Sequence, residues 1–93
     1  AGSDYEIEEF QLSRNPRQLM EIHGRSLEEL ELGRRSGAMV LAIRENGKLI
    51  ANPGGDTQMA PGQLLIVLGS KTQLATFQSL LGEAVDTIET MPG

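Results

Sequence analysis

Asn46-Gly47 stands between an unbroken apolar run, Ala38 to Ile43, and a shorter one, Leu49 to Ala51. Asn-Gly supplies the two positive-φ residues of a type I′ turn, whose twist suits paired strands, so the dipeptide specifies an antiparallel hairpin. The first arm, "AMVLAIR", shows no polar alternation and is predicted to be an interior strand covered on both faces. Pro53-Gly54-Gly55 ends the second arm, because proline brings no ladder donor and the glycines permit a sharp reversal. Pro61-Gly62 fits the central positions of a type II turn, and "LLIVLG" follows as a second buried strand.

Two capping boxes set helices beside this frame. Ser26 with Glu29 opens "SLEELELGRRSG" as one short helix, with Leu27 and Leu30 on a shared face and Leu32 off it, marking the end. Arg34 and Arg35 sit where cations favour the C-terminal dipole, and Gly37 takes the left-handed stop. Ser70 with Gln73 opens "SKTQLATFQSLLG", whose apolar stripe is Leu74, Phe77, Leu80 and Leu81, closed by Gly82. At the start, Tyr5 and Ile7 alternate out of phase with Phe10 and Leu12. An extra residue at Glu8-Glu9 reconciles them as a β-bulge in an irregular edge strand. Asn15-Pro16 starts a turn that Leu19 and Ile22 anchor to the core.

The resulting class is α+β, a small β-α-β-β-β-α sandwich with a mostly antiparallel sheet and helices packed on it. One further short strand fits between Pro53 and Pro61. The 93 residues make one domain, placed at residues 4–82. Ala1-Gly2-Ser3 reads as a cloning remnant (residues 1–3), and residues 83–93 as an acidic C-terminal tail.

With two Phe, one Tyr and no Trp, the core is aliphatic. The net charge of −5 repels phosphate backbones and argues against nucleic acid as a partner. The absence of cysteine removes disulfides and thiolate chemistry and fits a reducing compartment. No apolar run approaches the roughly 18–20 residues of a membrane helix, so direct membrane insertion is not expected. The single histidine, His23, has no metalloprotease, nucleophile-elbow or phosphate-loop motif around it, so no catalytic residues are assigned. It reads as an ordinary loop residue or, alternatively, as a ligand contact or pH-sensitive group at an interface. Asp4, Glu6, Glu8 and Glu9 read as solvated carboxylates. A calcium site needs convergent oxygens, whereas a strand sends alternate side chains to opposite faces, so no metal ligands are assigned.

What remains is a binding surface. Arg34 and Arg35 lie near Gly37 and the mouth of the first buried strand. They serve either as solvated partners of the helix dipole or as forked donors to a phosphate or carboxylate. Met39, Asn52 and Pro53 complete the candidate ligand site, with apolar contact for a ring from Met39, Pro53 and Met59. A small anionic effector is the expected ligand.

The stretch from Gly24 to Phe77 resembles the C-terminal lobe of RCK domains (regulators of potassium conductance), the TrkA C-terminal domain family. The features that carry the resemblance are the helix opening Gly24 to Leu27 and its end "LGRRSG". They continue through the strand and hairpin "VLAIRENG", Ile50 to Thr57, and "PGQLLIVLG". The resemblance covers roughly residues 5–82. It implies a non-catalytic regulatory lobe on the cytoplasmic side of a membrane potassium channel or transporter, pairing as a homodimer. It also implies an effector cleft at the dimer seam, which in several members takes cyclic di-AMP, making a cyclic dinucleotide the candidate ligand. Those members place an arginine where this chain has Gly33 and an asparagine where it has Met39; Pro53 matches an apolar residue that touches the base. The alternatives are a cyclic di-AMP receptor of a cation antiporter and a structural dimerisation lobe without ligand.

Overall fold

The computed structural model describes residues 4–86, so the readings of residues 1–3 and 87–93 lie outside the described residues. The strands are β1 (Tyr5–Gln11), β2 (Met39–Glu45), β3 (Lys48–Ala51) and β4 (Leu64–Ser70). The helices are α1 (Leu27–Leu30), α2 (Leu32–Ser36) and α3 (Lys71–Leu81). The strands form one four-stranded sheet in the order β1-β4-β2-β3, with every neighbouring pair antiparallel. The α+β class and the β-α-β-β-β-α order are as expected.

Local chemistry explains the elements. Both capping boxes form: Ser26 Oγ accepts from Glu29 N–H while Glu29 Oε1 accepts from Ser26 N–H, each at 3.0 Å. Ser70 and Gln73 repeat the exchange at the start of α3. Asn46 and Gly47 hold φ of 50° and 77°, as a type I′ turn requires, and Gly62 holds 83°. Asn15 Oδ1 caps the 3₁₀ turn Pro16–Leu19, accepting from Arg17 N–H.

Three expectations are corrected. β1 pairs with β4 without a register shift from Tyr5–Ser70 to Gln11–Leu64, so it has no bulge. The out-of-phase apolar pairs serve different faces. Phe10 and Leu12 are buried, Phe10 against Phe77 with ring centroids 5.3 Å apart, while Tyr5 and Ile7 lie on the opposite face. The bulge falls instead in β2, between Val40 and Ala42, where the Leu41 carbonyl accepts from Asn52 N–H at 2.8 Å. Second, "SLEELELGRRS" is not one helix. Glu31 adopts a left-handed backbone (φ 52°) and breaks it into α1 and α2, which turns Leu32 into the core.

Third, the sheet is covered on one face only. Leu65 and Val67 of β4 and Ile43 of β2 are fully buried beneath the helices, together with Leu12, Leu19, Met59 and Phe77. On the other face, Ile7, Leu68 and Met39 stand in one cross-strand row, with Ile66 and Leu64 beside them. Ile7 is 63% exposed and Met39 60%. The continuous apolar runs of β2 and β4 therefore describe strands that this chain alone half covers. The segment between Pro53 and Pro61 adds only isolated bridges, His23–Met59 and Ser26–Gln58. Glu83–Asp86, the described part of the acidic segment, continues the fold: Ala84 is buried, Val85 bridges Leu12 and Asp86 N–H donates to the Gln11 carbonyl.

Candidate functional site

A groove of about 570 Å³ opens where α1, α2, the head of β2 and the loop after β3 meet. Its walls are tied by main-chain bonds. Glu28 N–H donates to the Gly55 carbonyl and Leu27 N–H to that of Thr57, both at 2.9 Å. One turn earlier, Gly24 and Met59, then Met59 and Arg25, are linked in the same way. The Pro53–Met59 loop is thus held against α1 by the backbone itself.

The sequence candidates largely converge here. Arg34, Met39, Asn52 and Pro53 line the groove, whereas Arg35 does not. Met39 projects exposed from the first residue of β2. Asn52 has a left-handed backbone (φ 49°) and is fixed through its N–H to the bulge carbonyl of Leu41, which aims the chain into Pro53. Asparagine tolerates that conformation well; glutamate, as at Glu31, does so less readily. Among the described residues, two of the three non-glycine residues with positive φ, Glu31 and Asn52, are therefore groove residues.

Glu28 and Glu31, which sequence reasoning does not single out for the site, also line the groove. Glu31 Oε2 accepts from the Arg34 guanidinium. That hydrogen bond and the Arg34 charge hold the Glu31 carboxyl below its usual value and raise Arg34. The lining thus sets two carboxylates against one guanidinium that is already engaged. The three-residue spacing of Glu31 and Arg34 was the available signal; the helix break that turns Glu31 to the groove left none. Gly33 lies on the same rim, where an added Cβ would stand 3.4 Å from the Ala38 carbonyl, a tolerable contact. His23 is exposed, its backbone bridged to Met59, away from the groove residues. Among the described residues no three His, Cys, Asp or Glu side chains cluster to hold a metal ion, and no helix is long and apolar enough to cross a membrane.

The chain belongs to the TrkA-C domain family, whose model matches residues 21–82. No curated protein sequence matches it. Among solved structures it is similar to the RCK_C domain dimer of Streptococcus agalactiae BusR in complex with c-di-AMP. The two are 25% identical with a TM-score of 0.69, over 81% of this chain and 93% of that one. The RCK C domain of the potassium transport protein KtrA, in complex with c-di-AMP, shares the fold at 21% identity and TM-score 0.69, over 82% of each chain.

The exclusion of nucleic acid does not stand. S. agalactiae BusR has also been solved in complex with its busAB promoter DNA, at 25% identity and TM-score 0.71. That match covers 83% of this chain and 36% of the BusR chain. A net charge of −5 governs this lobe's own surface and carries no information about what a longer chain of the family binds.

Proposed function

We propose that this chain is a non-catalytic, cytoplasmic regulatory lobe of a protein that controls potassium transport. Two copies pair, and a small effector, a cyclic dinucleotide or another compact anion, binds in the groove at their seam. The observation that carries this reading is the convergence of Arg34, Met39, Asn52 and Pro53 in one groove that opens beside an uncovered apolar sheet face. Exposed apolar patches of this kind mark interaction surfaces. The BusR lobe, solved as a dimer with c-di-AMP, supplies the precedent. An effector acts on such a pair only through its different affinity for two arrangements of the protomers, typically by about 1–3 kcal/mol of coupling.

Calorimetry with c-di-AMP and with adenine nucleotides, paired with sedimentation, tests the reading. Saturable heat lost on Arg34→Ala or Pro53→Ala, from a protein that sediments as a dimer at tens of micromolar, is the expected result. A dimer that binds none of these ligands leaves a structural pairing lobe; a monomer overturns the seam.

A further inference from the structure

A second cleft, of about 410 Å³, lies at the other end of β2, between the Asn46-Gly47 hairpin turn and the Pro61-Gly62 turn. Five residue steps along β2, from Met39 to Arg44, separate the groove from it, about 17 Å at the ordinary strand rise of roughly 3.3 Å. Two guanidiniums from separate parts of the chain share it, Arg14 from the connection after β1 and Arg44 from β2. Neither has an ion pair or a hydrogen bond among the described residues, whereas Arg34 is engaged by Glu31.

The walls are built rather than loose. Arg14 lies over Gly62, where an added Cβ would come within 3.6 Å of its Cγ and Nη1, and Gly62 holds a left-handed φ of 83°. The Gln11 amide donates to the carbonyls of Leu12, Gly62 and Gln63, locking the turn. One carboxylate lines the cleft, that of Glu45. Its Oε1 accepts from Nε2 of Gln63, a side chain 99% buried by its 1% exposure, and it forms no ion pair with either arginine. Gln63 is itself fixed, donating to the Gln58 carbonyl and accepting from Ala60 N–H. The Asn46 side chain, also without a hydrogen-bond partner among the described residues, adds a neutral donor at the rim.

Arg14 and Arg44, neither engaged by a carboxylate, line one preorganised polar cleft in a chain of net charge −5. Guanidinium forks match the paired oxygens of phosphate, and fixed turn geometry lowers the ordering needed to bind. We infer that the Arg14–Arg44 cleft is a second binding site, for a phosphate group, independent of the groove at the head of β2.

Amide NMR titration with inorganic phosphate and with adenosine monophosphate, against sodium chloride at matched ionic strength, tests this. Saturable shifts at Asn46, Gly47 and Gly62 are expected. Arg14→Gln and Arg44→Gln should each weaken binding at least ten-fold while leaving the remaining spectrum in place, and Arg17→Gln, at an exposed arginine outside the cleft, should leave it unchanged. Tighter binding of the nucleotide than of phosphate assigns a role to the cleft walls beyond the arginines; equal affinity assigns recognition to the phosphate alone, and both support the site. Shifts that track chloride, that survive both substitutions, or that centre on Gly33–Met39 overturn it. Because those last shifts report the groove separately, failure here and failure of the effector reading are distinguishable.

Discussion

Glu31 combines an unfavourable backbone conformation, an ion pair and a place in the groove wall. Glycine reaches the left-handed region without the Cβ–carbonyl clash that other residues meet there. Glu31→Gly should therefore melt above Glu31→Ala, which keeps the strain, by about 4–8 °C for a domain of this size; equal melting temperatures in calorimetric scans would show that the backbone relaxes at no cost. Glu29 and Glu31 also carry a pH signature. The capping hydrogen bonds from Ser26 hold Glu29 below the usual 4.5, and Arg34 does the same for Glu31. A depressed folded value means that the stabilisation is complete above about 4.5 and disappears as pH falls through the lower folded value. The stability gap between the native chain and Glu29→Gln should accordingly close in acid, as urea titrations at descending pH would register. At the groove rim, Gly33 and Met39 are where the family pattern, as the resemblance gives it, carries arginine and asparagine. With room for a Cβ at Gly33, the double change Gly33→Arg, Met39→Asn should raise c-di-AMP affinity at least ten-fold by calorimetry.

At the scale of elements, α3 rests on its cap and its stripe. Ser70→Ala should cost about 1 kcal/mol by removing the acceptor for Gln73 N–H, and Phe77→Ala about 3–5 kcal/mol by opening the space against Phe10, both measurable by urea unfolding. These features were legible because each is local: a cap spans four residues, and an Asn-Gly turn two. What stayed hidden depends on partners distant in sequence. The bulge at Leu41 is defined by which β4 residues β2 meets and by Asn52 donating across the sheet, so no window within β2 contains it. The helix break at Glu31 likewise brings Leu32 into the core, a gain that depends on the packed core and not on the residues around Glu31. The candidate groove was partly legible, since Arg34, Met39, Asn52 and Pro53 flank turns and element ends where exposed side chains gather. Glu28 and Glu31 escaped because a helix wheel drawn through the break assigns them to solvent.

For the whole molecule, the open apolar face is the feature with the widest reach. The row Ile7, Leu68, Met39 crosses three strands of the sheet with Leu68 half-buried between two exposed ends, and polar substitutions at those ends remove no core contact. Ile7→Ser combined with Met39→Ser should leave the melting temperature of the monomer nearly unchanged while weakening self-association at least ten-fold by sedimentation. An unaltered dimer would place the seam elsewhere. The main-chain ties between the Pro53–Met59 loop and the residues leading into α1 bear on how fast an effector arrives rather than how tightly it stays. A wall stitched by its own backbone has no slow opening step to wait for. Rapid mixing should then give a single exponential whose rate climbs in proportion to ligand concentration without reaching a ceiling. The delay in any regulatory response would belong to the rearrangement of the pair and not to entry into the site.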